Sequence, residues 1–439
     1  MKFSPLQGAL WILIYLGLAI APMVVAFIGP LPEPRSFWVE FSVGLGFVGL
    51  AIMGLQFVLT GRFRGVAATL GLDSMLQYHR QAGLVAFVFI FAHPLILFLT
   101  DASYLEYLDP RVNLPRALAL SGVMGALVLV IGTTFWRQPL GLAYEYWRLI
   151  HGVLALFIVF VGLVHILQVG FYISVWWKQA LWILLTVAAI ALLVNTRIVR
   201  PWKLQATPYR VADVEEERGE AWTLTIEPEG HAGMPFKPGQ FAWLTLGPSA
   251  FTIDQHPFSF SSSATRPDSL KFTVKALGDF TTTIGDTRIG TRAYLEGPYG
   301  AFTPDPEPTL GAVFIAGGVG ITPIMSMLRT FRDTGDPRPS LLIYGTPGPE
   351  TTLFLEELES LQNDLDLTVL HVFEEPPQKW SGERGLVTAE LLARHLPADP
   401  TRHEYFVCGP EPMMDLVEPY LRERGVPLAR ILAERFTIV

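Results

Sequence analysis

The first 200 residues consist mostly of long apolar runs, whereas residues 201–439 alternate apolar and polar positions in short segments. A helix needs about 20 apolar residues to cross a bilayer core roughly 30 Å thick. Six runs have about that length, at about 7–29, 39–60, 77–99, 117–136, 149–167 and 175–196. We therefore expect six transmembrane helices, an arrangement that places both termini on the same side of the membrane.

The basic residues near the ends of these runs predict the orientation. Nine of them fall on the side that carries the termini and four on the opposite side. Because Lys and Arg near span ends favour the cytoplasm, both termini are expected there, in a bacterial inner membrane with lipid around the helices. The net charge of −8 argues against nucleic-acid binding, and no protein partner is evident.

The second half of the chain contains two patterns. Short alternating segments broken by Gly and Pro predict an antiparallel β-barrel; they are Trp222–Ile226, Gly239–Leu246, Leu270–Ala276 and Thr291–Glu296. From about residue 310, strand-like and helix-like segments alternate, which is typical of a doubly wound parallel α/β sheet. The expected domains are therefore residues 1–200, 201–306 and 307–439.

Four histidines lie within the predicted membrane helices, in two pairs with the same spacing. His79 and His93 share the third run, His151 and His165 share the fifth, and both gaps are 14 residues. Fourteen residues return to nearly the same helix face about 21 Å further along. Adjacent helices would therefore oppose His79 to His151, the inner pair, and His93 to His165, the outer pair.

Two opposed imidazoles can fill both axial positions of a haem iron, which suits electron transfer. The sequence therefore predicts two b-type haems, bound without covalent attachment because Cys408 is the only cysteine. The alternative is that the histidines are polar contacts between helices. Zinc fits poorly, since it needs four converging ligands. Arg80 and Arg148 flank the inner pair, where they either meet haem propionates or follow the general bias for basic residues at that face.

Three motifs in the second half indicate cofactor binding. The loop Gly317-Gly318-Val319-Gly320-Ile321-Thr322-Pro323 follows a strand and opens a helix, where backbone amides can hold a pyrophosphate. The segment His256-Pro257-Phe258-Ser259 offers an aromatic plane and a hydroxyl for a flavin, or else simply starts a strand. Cys408-Gly409-Pro410 ends the last predicted parallel strand, although a lone Cys there is commonly a packing residue. Further candidates for phosphate contacts are Lys275, Gly278, Thr281 and Thr282.

In this order, the motifs of residues 207–439 resemble the ferredoxin–NADP reductase superfamily. The whole chain, with its two histidine pairs, resembles the transmembrane flavocytochromes called NADPH oxidases and ferric reductases. The resemblance implies a six-helix transmembrane haem bundle, an FAD-binding β-barrel and a doubly wound NAD(P)-binding domain.

The resemblance also implies residue roles. Phe258 and Ser259 would contact the flavin ring, and His256 would lie near its phosphates. The nicotinamide dinucleotide would be held by Gly317, Gly318, Gly320 and Thr322. Cys408 would border the nicotinamide, and Phe436 would shield the flavin until the nicotinamide displaces it. Ser259, Cys408 and Phe436 are therefore the expected catalytic residues.

The expected activity is transfer of electrons from cytosolic NADH or NADPH through FAD and two haems to an acceptor outside. Dioxygen, giving superoxide, is the preferred acceptor, and a ferric chelate is the alternative. A third possibility is supply of electrons to a periplasmic partner or quinone. No Lys or Arg occurs from Leu341 to Leu370, so NADH should serve at least as well as NADPH, unless Arg329 or Arg332 contacts the 2′-phosphate.

Overall fold

The computed structural model describes residues 5–62, 72–306 and 310–435. Among these residues, 5–62 and 74–200 form a helical unit, and 201–306 with 310–435 belong to a second unit.

The helical unit confirms the six expected spans. Within the described residues, six helices are long and apolar enough to cross a membrane, so the protein is an integral membrane protein. Their bounds are α1 Pro5–Ala26, α2 Phe37–Leu59, α3 Leu72–Thr100, α4 Pro110–Phe135, α5 Tyr144–Val169 and α6 Trp176–Val194. A π-helical turn, Asn195–Val199, joins α6 to the short helix α7, Arg200–Leu204.

Local sequence explains several helix ends and contacts. The Asp109 carboxylate accepts the Arg111 amide at 2.8 Å and caps α4, which has Pro110 at its first position. Gly170 ends α5 with a left-handed φ of 61°. Gly49 lets α2 approach α3 closely, because a β-carbon there would lie 3.1 Å from the Phe89 β-carbon.

The second unit begins with a six-stranded antiparallel sheet in the order β4-β3-β6-β1-β2-β5. The strands are β1 Tyr209–Glu217, β2 Ala221–Pro228, β3 Phe241–Leu246, β4 His256–Ser259, β5 Leu270–Lys275 and β6 Arg292–Tyr299, with the one-turn helix α8, Asp279–Thr282, between β5 and β6. The two edges meet where Phe260 bridges Phe272, so the sheet curls around a core that contains both rings.

The parallel sheet follows, in the order β10-β9-β8-β7-β11-β12. Its strands are β7 Gly311–Gly317, β8 Ser340–Thr346, β9 Leu367–Phe373, β10 Glu383–Arg384, β11 His403–Cys408 and β12 Ile431–Glu434. Its helices are α9 Ile321–Thr334, α10 Leu355–Asp364, α11 Ala389–His395 and α12 Glu411–Glu423. The strand order reverses between β7 and β11, which is where ligands bind in doubly wound sheets.

Candidate functional site

The four membrane histidines form two opposed pairs between α3 and α5. The ring centres of His79 and His151 lie 6.1 Å apart, and those of His93 and His165 lie 6.4 Å apart. Since the earlier histidine of one helix faces the earlier histidine of the other, α3 and α5 run parallel. The pairs therefore follow each other along the helices at the spacing that the sequence predicts.

These separations fit two imidazoles on opposite sides of one haem iron. Metal–nitrogen bonds of about 2 Å, with about 1 Å from each nitrogen to its ring centre, put the two centres roughly 6 Å apart. Nδ1 of His79 and Nδ1 of His151 are buried without a hydrogen-bond partner among the described residues. Each pair can therefore hold one haem through its two rings.

Aromatic side chains accompany the arginines near the inner pair. The Arg80 guanidinium lies 5.7 Å from the ring centre of Phe135, and that of Arg148 lies 5.5 Å from the ring centre of Tyr144. Trp147 contacts His151 with their ring centres 5.2 Å apart. The structure thus places both arginines next to the inner pair along their helices, and propionate binding by them stays a prediction.

The outer pair borders a polar cavity that the sequence did not indicate. A cavity of about 220 Å³ is lined by His165, Arg116, Tyr107, Asn113, Gln168 and Val169. The Tyr107 ring lies edge-on to His165 at 6.2 Å, and the Arg116 guanidinium lies 4.4 Å from the Tyr107 ring centre. The Arg116 Nε is buried without a hydrogen-bond partner in the described part of the chain. The cavity therefore presents a cation beside the outer pair.

The expected flavin contacts come together at β4 and α8. The His256 ring stacks on Phe280 with centres 4.1 Å apart, and Phe258 lies parallel to Phe280 at 6.1 Å. Pro257 pairs with Trp243 across the sheet, and Ser259 ends the strand as a buried residue. This aromatic surface suits the stacking of a flavin ring. Phe280 is a member that the sequence reasoning missed.

The expected phosphate contacts lie at the end of β5 and in α8. The Thr281 hydroxyl accepts the amides of Leu277 and Gly278 at 2.9 and 2.8 Å. The Thr282 hydroxyl donates to the Asp279 carbonyl at 2.9 Å. Lys275 ends β5, and a β-carbon on Gly278 would meet no atom within 4 Å. The two threonine hydroxyls thus shape the turn, while the Gly278 backbone faces open space.

The glycine loop and the Cys408-Gly409-Pro410 turn meet at the reversal of strand order. A β-carbon on Gly320 would overlap the Cys408 carbonyl, and one on Gly409 would lie 2.9 Å from the Gly317 amide nitrogen. Gly318 has a left-handed φ of 52° and open space around its α-carbon. The two turns therefore pack backbone against backbone, with the Met413 side chain beside Gly317 and Gly409. The open backbone at Gly318 allows the close approach that a pyrophosphate requires.

Neighbouring side chains fix the loop. The Tyr344 hydroxyl, on β8, donates to the Gly318 carbonyl at 3.1 Å, and burial raises the pKa of Tyr344, so the phenol stays a donor. The Thr322 hydroxyl donates to the Val319 carbonyl at 2.7 Å.

Pro323 and Cys408 are buried. The Cys408 thiol thus belongs to the hydrophobic core in this structure, and Phe436 lies outside the described residues.

Three sequence profiles match this chain. The ferric reductase like transmembrane component matches residues 45–162, an FAD-binding domain matches 210–303, and an oxidoreductase NAD-binding domain matches 314–418. The chain thus combines a ferric reductase like transmembrane component with an FAD-binding and an NAD-binding domain. It has the domain architecture that the ferric reductases share with the NADPH oxidases.

Proteins similar to this chain include reductase components of monooxygenases. The reductase component of propane 2-monooxygenase from Mycolicibacterium smegmatis is 31% identical over 243 residues, 53% of this chain and 68% of that protein. The glycine betaine monooxygenase reductase subunit from Pseudomonas aeruginosa is 33% identical over 211 residues, 46% of this chain and 56% of that protein. Flavohaemoglobin from Malassezia yamatoensis covers 91% of this chain and 99% of its own, with 16% identity and a TM-score of 0.50, a likeness of fold alone.

Both arginines that could have contacted a 2′-phosphate have other partners in this structure. Arg329 donates through Nε and Nη2 to Glu357 at 2.7 and 2.5 Å, and through Nη1 to the Ser261 carbonyl at 2.6 Å. Arg332 pairs with its neighbour Asp333 at 2.8 Å. Arg329 therefore joins the α/β domain to the barrel, and its guanidinium lies 4.9 Å from the ring centre of Phe354.

Proposed function

We propose that this protein oxidises NADH or NADPH on the cytoplasmic side and reduces dioxygen to superoxide on the outer side. The observation that carries the proposal is the pair of opposed histidine sites, 6.1 and 6.4 Å between ring centres, on two parallel helices. Two such sites about 21 Å apart suit electron transfer through the thickness of a bilayer core. The FAD-binding and NAD-binding domains supply the cytoplasmic half of the path.

The residues have separate tasks. The Gly317–Gly320 backbone binds the pyrophosphate, and His256 with Phe258 presents the aromatic surface for the flavin. FAD held there would supply the conversion of a two-electron hydride into single electrons, which is needed because a haem takes only one. The balance is one NADH and two O₂ giving NAD⁺, one proton and two superoxide ions.

The cavity beside His165 supports dioxygen as the acceptor. Its volume of about 220 Å³ is below the range of roughly 300–1,000 Å³ that holds larger ligands. Arg116 would stabilise negative charge that develops on a small acceptor, since a fixed cation acts strongly in a site of low dielectric constant. A ferric chelate, which is larger and commonly anionic, is the second candidate because it could be drawn to the same cation.

Haem content tests the first part of the proposal. The wild-type protein should bind two haems per chain, and His93→Ala should bind one while NADH still reduces the flavin. His231→Ala is the matched control, because His231 lies outside the helical unit. Its Nε2 donates to the Pro208 carbonyl, and its Nδ1 accepts from the Gly233 amide. The measurement is the haem-to-protein ratio after haem-replete expression. A wild-type ratio of one or zero would overturn the proposal.

The acceptor is tested by two assays on the purified protein. NADH-driven reduction of cytochrome c should be largely suppressed by superoxide dismutase, because the reductant in solution would be superoxide. Reduction of a ferric chelate under nitrogen should be slower than the dioxygen reaction. Fast chelate reduction, together with cytochrome c reduction that resists the dismutase, would favour the ferric reductase activity.

A further inference from the structure

Ser42 and His93 are joined by three short contacts between α2 and α3. The Ser42 hydroxyl donates to the His93 carbonyl at 2.7 Å and lies 3.0 Å from His93 Nδ1. His93 Nδ1 also lies 2.9 Å from the Ser42 carbonyl oxygen. Ser42 is fully buried, so water does not compete for these groups.

These contacts determine which ring nitrogen of His93 carries the proton. A carbonyl oxygen can only accept, so Nδ1 must be the protonated nitrogen that donates to Ser42. The hydroxyl proton is already given to the His93 carbonyl, which leaves its oxygen free to accept from Nδ1 as well. The lone pair of Nε2 is therefore available for a metal.

The backbone of α2 is shaped to the same ring. Gly46 lies one turn beyond Ser42, on the same helix face. A β-carbon on Gly46 would lie 3.3 Å from His93 Cγ and from His93 Nδ1, a tight contact that glycine avoids. Ser42 and Gly46 together hold the imidazole in one orientation.

The inner pair has no corresponding arrangement. Nδ1 of His79 and of His151 is buried, and neither atom has a hydrogen-bond partner among the described residues. The two ligand pairs therefore differ in the electron density on their rings, since a donated Nδ1 proton makes an imidazole more basic.

We propose that Ser42 is a positioning residue for His93. Its hydroxyl makes the outer site more reducing than the site would be without that hydroxyl. The inference rests on the proposed function, because it takes His93 to be an axial haem ligand. A more basic axial imidazole stabilises the ferric state and lowers the midpoint potential. The consequence is a larger driving force for giving an electron to the external acceptor.

Spectroelectrochemical titration of the whole protein tests this directly, because it resolves two haems within one sample. Ser42→Ala keeps the carbonyl that accepts from His93 Nδ1 but removes the hydroxyl, which is the second acceptor near Nδ1 and also holds the His93 carbonyl. The outer midpoint potential should therefore rise, and the inner one should stay. A tenfold change in the ferric-to-ferrous balance corresponds to about 59 mV for one electron. The low-spin ferric EPR signal of the outer haem should shift with it.

Two further variants separate positioning from folding. Ser42→Thr keeps the hydroxyl and should restore the wild-type potential. Thr186→Ala removes a buried hydroxyl residue of α6 and should leave both potentials unchanged. Equal shifts of both haems, or no shift in Ser42→Ala with two haems bound, would overturn the inference alone. A wild-type protein without two haems would instead overturn the proposed function.

Discussion

Among single residues, Gly320 has the clearest consequence for dinucleotide binding. A β-carbon there would overlap the Cys408 carbonyl and lie 2.9 Å from the Gly409 nitrogen, so Gly320→Ala must move one of the two turns. We expect a lower melting temperature and a raised KM for NADH. Gly318 has open space around it, so Gly318→Ala meets no steric clash. It should lower the stability by only roughly 1–2 kcal/mol, the cost of a left-handed backbone at a residue with a side chain. The prediction fails if Gly318→Ala is the more damaging change in flavin-fluorescence melting.

Substitution of Arg116 tests whether its charge assists reduction of the acceptor. Arg116→Met keeps the length of the side chain and removes the charge beside His165. We expect about a tenfold slower acceptor reduction at saturating NADH, equivalent to about 1.4 kcal/mol, with haem content unchanged. Arg111→Met is the control, because Arg111 is exposed and pairs with Asp109 on the same segment. Equal rates in the two variants would remove Arg116 from the acceptor site.

Between elements, Arg329 joins α9 to α10 and to the barrel. Its side chain is 12% exposed and that of Glu357 is 31% exposed. Burial alone would raise the pKa of Glu357, but the bond to Arg329 lowers it below its ordinary value. Arg329→Met should therefore destabilise the protein at neutral pH by about 2 kcal/mol, less than a fully buried pair would lose.

The pH dependence of this variant has a definite sign. Because the pKa of Glu357 is lowered in the folded protein, the pair stabilises it above the unfolded pKa of about 4.3, and the contribution is lost as the pH falls through the folded value. The difference in melting temperature between wild type and Arg329→Met should shrink on acidification. A difference that grows would contradict the assignment.

Most helices and strands could be predicted from the sequence. Six spans and two facing histidine pairs follow from run length and helical period, which are local properties. The sequence predicts a helix over Glu350–Asn363, and the observed helix α10 begins later, at Leu355. The reason is that Pro349 starts a separate turn and Phe354 has a left-handed φ of 58°. Strand β1 was missed because its acidic end, Glu215 to Glu217, reads as a loop. Ser42 and Arg116 gain their roles only from packing between distant segments.

In the whole molecule, the preference between NADH and NADPH depends on whether a basic side chain is available to contact the 2′-phosphate. The chain from Leu341 to Leu370 contains no Lys or Arg, and Arg329 is fully engaged with Glu357 and Ser261. NADH should therefore have a kcat/KM at least equal to that of NADPH. Glu350→Lys, just after β8, should shift the ratio toward NADPH by adding a charge-assisted contact. Steady-state kinetics with a strong wild-type preference for NADPH would refute this.

On both α3 and α5 the two histidines are 14 residues apart. The distance between the two histidine pairs is therefore set by the number of residues between them. A thicker or thinner bilayer changes how deeply the helix ends are buried, yet it leaves about 21 Å between the pairs. One extra residue between His79 and His93 would turn His93 by about 100° away from His165. Removing seven residues from each helix would keep both faces aligned and bring the pairs about 10 Å closer, so the distance over which an electron must move can be changed in whole helical repeats.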